Sequence, residues 1–76
     1  MDIPENLIEL ERAAEQERVK LDGLAGEEYD EQRRRWRDAA AAAQAAITQY
    51  ATAEGASRVE VEMAAKKAAR HDQHDG

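Results

Sequence analysis

The stretch EEYDEQRRRWRDAAAAAQAAITQYATAE, residues 27–54, decides how the chain is built. At helical spacing it yields Tyr29, Arg33, Trp36, Ala40, Ala43, Ile47 and Tyr50, alternating steps of four and three. That alternation marks the seam of a helix packed lengthwise on another. A matching seam precedes it, where Ile3, Leu7, Leu10, Ala14, Glu17 and Leu21 repeat the same steps. In an antiparallel hairpin, facing residues share a constant sum, and these two sets pair at a sum of 50. Leu21 then faces Tyr29, Glu17 faces Arg33, Ala14 faces Trp36, Leu10 faces Ala40, Leu7 faces Ala43 and Ile3 faces Ile47. Bulky residues meet small ones in the middle of the seam, and its two charged residues meet with opposite sign. Glu17, Arg33 and Trp36 are therefore assigned to the structural seam, with Trp36 as the main core anchor.

Punctuation of the chain sets the element boundaries. Asp2 with Glu5 has the spacing of a capping box, with Pro4 tolerated in the first turn, so a first helix is expected over about 2–22. Gly23 terminates it, and the segment 22–26 has the length of a connection between antiparallel neighbours. Helix 2 is expected over about 27–54, opening on Glu27, Glu28 and Asp30 and closing before Gly55. Ser57 and Glu60 form a second capping box, so a third helix is expected over about 57–70. Residues 1–70 thus read as a single helical domain and residues 71–76 as a flexible polar tail. The fold class is all-α, a long antiparallel helical hairpin plus a shorter third helix, assembling into a helical-bundle oligomer.

Composition supports this reading. Seventeen of the 76 residues are Ala, the best helix former, whereas Gly and Pro together number five. Large apolar side chains are scarce and Phe is absent, so an isolated monomer buries little and self-association, as a homodimer, is expected. Ile8 and Val19 form a second apolar edge on helix 1. Helix 3 divides its apolar residues between Val61, Ala64, Ala65 and Ala68 on one side and Val59 with Met63 on the other. Ile8, Val19, Val59, Met63, Lys66 and Arg70 are accordingly the expected interaction surface.

Charge and residue content disfavour several classes. The net charge of −6 opposes nucleic acid or an anionic membrane as the default partner. The acidity is concentrated early, since residues 1–26 carry 3 basic against 7 acidic side chains. Without Cys there is no disulfide, thiolate metal site or cysteine nucleophile. No apolar run approaches the roughly 18 residues of a membrane span, and no signal peptide opens the chain, so a cytoplasmic protein is expected. The sequence offers no Gly-rich phosphate loop and no catalytic constellation, and the expectation is a non-enzyme with no cofactor, metal or catalytic residues.

Four local features could carry chemistry. Arg33, Arg34, Arg35 and Arg37 flank Trp36, a mix able to bind phosphates and stack on bases, but at 100° per residue they spread around the helix. Lys66, Lys67 and Arg70 form a basic edge that the helix dipole alone accounts for. A helix–turn–helix reading of residues 40–70 would present Val59, Glu60 and Met63, which offer base edges little hydrogen bonding. His71 and His74 have a spacing compatible with a metal, but no further ligands accompany them beyond Asp72 and Asp75 in a polar tail. The functional reading is a small helical protein–protein interaction or oligomerisation module, with a nucleic-acid-associated regulator using Arg33–Arg37 or Lys66–Arg70 as the alternative.

Overall fold

The computed structural model describes residues 2–74, with side chains as far as Arg70. It is all-α, with α1 at Glu5–Val19, α2 at Gly26–Glu54 and α3 at Arg58–His74. α1 and α2 form the expected antiparallel hairpin, tied at one end by Gln32 and Glu17 and at the other by the Tyr50 hydroxyl, which donates to the Asp2 carbonyl. α3 then runs alongside both, parallel to α1 and antiparallel to α2. Lys66 meets Glu11 in the first case, and Arg58 meets Thr48 in the second.

The start of α1 departs from the capping-box expectation. Pro4 is the N-cap and no side chain caps the end; the Pro4 carbonyl instead accepts from Leu7 and Ile8. A residue preceding proline is pushed out of the helical region, so Ile3 cannot be helical and Asp2 is carried away from the first turn. The other end of α1 stops at Val19, short of the expected Asp22. Leu21 donates to Arg18 and Asp22 to Val19, three-residue steps that tighten the last turn, while Lys20 keeps the four-residue bond to Gln16. That sequence of bonds skips the Glu17 carbonyl.

The closing of α2 follows expectation. Gly55 adopts φ 64°, and Ala56 N–H reaches back to the Ala51 carbonyl at 2.9 Å in a Schellman arrangement. Ser57 Oγ accepts from Glu60 N–H at 3.4 Å, so the second cap forms. α3 continues to His74, four residues beyond the expected end, since the chain contains no helix breaker until Gly76. The polar tail expected over 71–76 thus overlaps the end of α3, and its residues 75–76 lie outside those described.

The core is concentrated where α2 turns into α3. Leu7, Ile47, Ala51, Val61 and Ala65 form one buried cluster, with Ile3, Ala46, Tyr50 and Ala56 packed against it. Its largest fully buried side chains are Leu7, Ile47 and Val61, so these are the anchors of the fold. Trp36, expected in that role, is only half-buried; its ring shares a crevice with buried Ala14, its expected neighbour. Among the described residues, five of the nine buried apolar ones are Ala, namely Ala14, Ala43, Ala51, Ala65 and Ala69. The helices therefore approach closely but remove little apolar area from water.

Glu17 and Arg33 do not form the expected seam pair. Arg33 is exposed, and Gln32, one residue earlier, is buried and donates through Nε2 to the Glu17 carbonyl at 2.8 Å and to Glu17 Oε1 at 3.3 Å. A strict 3.5-residue repeat drifts about 20° per heptad on a straight helix. Two heptads back from Ile47, Arg33 therefore lies about 40° to one side of the inward line and Gln32 about 60° to the other, so spacing alone hardly separates them. An amide is also cheaper to bury than a guanidinium, and here it satisfies the carbonyl that the tight last turn of α1 leaves free.

Candidate functional site

Two surfaces distinguish this bundle from a plain core with a charged exterior. The first is the outer side of α2, opposite α1 and α3. From Ala39 to Ala53 the helix carries no charged residue, in a chain of which 37% is charged. Ala41, Ala42, Ala45, Gln49, Thr52 and Ala53 are all exposed along this run. At 100° per residue these six lie within about 120° of one another, a continuous neutral strip. The α3-facing flank is occupied by a polar network. Gln44 Nε2 donates to Glu62 Oε2 at 2.5 Å, Arg58 Nε donates to Thr48 Oγ1 at 3.0 Å, and the Arg58 guanidinium also donates to Gln44 Oε1.

The second surface is a crevice between α1 and α3. Glu11, which sequence reading left aside, is buried at 5% exposure, and its Oε2 accepts from Lys66 Nζ at 3.0 Å. Its other oxygen, Oε1, is buried with no hydrogen-bond partner. Glu11 lines a crevice of about 370 Å³ with Glu15, Lys66, Ala69 and Arg70, and a smaller one of about 190 Å³ that reaches Trp36 and Gln44. A signal for Glu11 was present in the sequence. It lies four residues after Leu7, three after Ile8 and three before Ala14, on the inward face of α1.

Two carboxylates of α1, Glu15 and Glu17, are held in their charged form. Arg18 donates to both oxygens of Glu15, at 2.6 and 3.0 Å, and this bond is the main reason the Glu15 carboxyl is pulled below its ordinary pKa; Lys66 and Arg70 add to it. Glu17 is lowered as well, mainly by the hydrogen bond from Lys20 at 3.0 Å and further by Gln32.

The expected interaction surface divides. Ile8 is buried and cannot take part in it, because α3 packs over the same side of α1, where Glu11 one turn later meets Lys66. Val19, Val59 and Met63 are exposed, at 50%, 58% and 65%. Lys66 is committed to Glu11, with its side chain 49% exposed, and Arg70 stands at the rim of the crevice. Arg33, Arg34, Arg35 and Arg37 are all exposed, but Glu31 engages two of them, Arg34 at 2.8 Å and Arg35 at 3.7 Å. The side chains of His71 and His74 lie outside those described. Among the described residues, no group of three His, Cys, Asp or Glu is placed to hold a metal ion, and no helix is long and apolar enough to cross a membrane. No family model matches the chain, and neither a curated protein nor a solved structure shows significant similarity to it.

Proposed function

We propose that this protein is a non-enzymatic helical association module that pairs with a second copy of itself through the outer face of α2. The observation that carries the reading is the uncharged, exposed run from Ala39 to Ala53. Surface helices of small bundles keep charge on the solvent side, so a neutral strip of this length is suited to burial against another surface. Its small side chains allow two backbones to approach closely. Ala45 lies near the midpoint, so two copies related by a two-fold axis would bring their Ala45 residues together in a self-complementary contact. The Ala-dominated core supplies a second reason, because a 76-residue chain with so few large buried side chains gains stability from added burial. Val59 and Met63 form a two-residue patch on α3, better suited to the edge of a contact than to its centre.

Sedimentation across a concentration series tests the proposal with the Ala45→Glu variant beside the parent chain. The parent should sediment as a dimer and the variant as a monomer of unchanged helicity, since position 45 is exposed and the fold does not depend on it. A parent that stays monomeric, or a variant that keeps the parent's mass, overturns it. The alternative, a nucleic-acid-associated regulator, draws support from the exposure of all four arginines between Arg33 and Arg37. Phosphates would have to displace Glu31 from two of them, against a net charge of −6. Absence of DNA or RNA binding at low salt removes this alternative.

A further inference from the structure

We infer that α3 is an exchangeable element: the α2–α3 corner opens at Gly55, α2 and α3 run on as one helix, and α3 docks on the hairpin of a second copy. The phase of the buried residues carries this. The buried apolar residues are Ala43, Ile47 and Ala51 in α2 and Val61, Ala65 and Ala69 in α3. Ala43 and Val61, Ile47 and Ala65, and Ala51 and Ala69 are each 18 residues apart, which is five whole turns of an α-helix. On a helix running straight through the corner all six would fall within about 80° of one another, on one continuous face. A corner that never opens places no such requirement on the two faces.

The contacts across the corner can be remade between copies. Gln44 meets Glu62 and Thr48 meets Arg58, and the numbers in each pair add to 106. Two straightened helices laid antiparallel about a two-fold axis at Ala53 repeat the same pairs between chains, and Lys66 meets the partner's Glu11 in place of its own. The corner itself closes through backbone conformation. It is three residues long, held by Gly55 at φ 64°, by the Ala56 N–H bond to Ala51 and by the Ser57 cap at 3.4 Å. Gly55 is the one Gly or Pro between Gly26 and His74, and nothing lies within 4 Å of a carbon added to it. Short hinges between helix-compatible segments are where such exchange occurs.

Residue 55 sets the balance between the two forms. Ala disfavours the left-handed conformation of the closed corner and favours the helical one of the open form, so Gly55→Ala should shift each hinge about 30-fold and the dimerisation constant, which involves two hinges, about a thousandfold. Ser57→Ala, at an exposed position, removes a cap that only the closed form uses and should shift each hinge about fivefold. Both are tested on the full chain in the Ala45→Glu background, where pairing through the outer face of α2 does not contribute. Sedimentation across a concentration series gives the mass. A carbodiimide then joins Lys66 to Glu11 in an equal mixture of unlabelled and nitrogen-15 chains unfolded and refolded together. Exchange gives joined peptides of mixed label, whereas the closed fold gives matched labels alone. The mixed fraction should rise from Ala45→Glu to the Ser57→Ala and then the Gly55→Ala chain. The inference is overturned if the folded Gly55→Ala chain stays monomeric up to millimolar concentration, if its dimers give matched labels only, or if Ser57→Ala leaves the mixed fraction unchanged.

Discussion

Replacing Glu11 by Leu should stabilise this protein, although it deletes the one ion pair linking α1 to α3 among the described residues. The carboxylate is 5% exposed, with one oxygen lacking any partner, so folding strips it of water and returns one hydrogen bond. Lys66 is half in solvent and regains full hydration once Glu11 is gone. Exchanging a buried ion pair for a well-packed apolar residue is commonly neutral or stabilising by about 1–4 kcal/mol. Removing the unsatisfied oxygen alone is worth about 1–3 kcal/mol. We therefore expect Glu11→Leu to add about 1–3 kcal/mol, and each kcal/mol should raise Tm by about 4–8 °C in a domain of this size. Lys66→Ala acts in the opposite direction. It leaves a buried carboxylate unpaired, at a cost of about 3 kcal/mol, toward the lower end for buried pairs because the crevice is open to water on one side. Combined with Glu11→Leu, Lys66→Ala should lose nearly all its effect, a non-additivity of about the same size. Thermal melts of the four chains decide the matter. A Glu11→Leu chain that melts below the parent, or a Lys66→Ala chain that melts with it, refutes the reasoning.

Other perturbations probe separate links. Gln32→Ala should cost about 1–3 kcal/mol by leaving the Glu17 carbonyl without its donor, whereas Arg33→Ala should change stability by less than about 0.5 kcal/mol; urea titration of both distinguishes the pair that meets from the pair that does not. Gly55→Ala should cost about 1 kcal/mol through its positive φ alone, since nothing lies within 4 Å of the added carbon; urea titration showing no loss would contradict the cap. Glu15 and Glu17 both have pKa values lowered by folding. Their contribution is complete above the unfolded value of about 4.3 and is lost as pH falls through their folded values. Tm should therefore drop on acidification below that point, and a Glu15→Gln, Glu17→Gln chain should show a shallower acid slope; both groups are solvent-screened, so the difference is modest.

Much of the architecture was legible because it rests on spacing. The four-three alternation placed α1 against α2, and the constant sum set Ala14 beside Trp36 and Ile3 against the cluster holding Ile47. Gly55 and Ser57 marked their turn through conformational requirements that few other residues meet. The misses have physical causes as well. Heptad counting carries no measure of the cost of burial, which near the tip of the hairpin exchanges the Arg33 guanidinium for the Gln32 amide. A capping-box pattern interrupted by proline cannot close, because Ile3 is forced extended. Assigning Ile8 to an outer edge presumed a two-helix seam, but α3 covers that side, and only the third helix gives Glu11 its buried setting. Periodicity along one helix does not report which neighbour arrives from a distant part of the chain. The neutral strip of α2 was visible as composition, but its exposure became evident only once α3 was seen to pack against the Gln44–Thr48 flank.

Site-directed disulfide trapping tests the proposed association most directly, because the chain has no cysteine to compete. Ala45→Cys should form a covalent dimer under mild oxidation, at twice the 8.5 kDa chain mass, faster than Glu28→Cys, which lies toward the far end of the same helix. Equal rates at the two positions, or trapping at Val59→Cys with none at position 45, would contradict pairing through the outer face of α2.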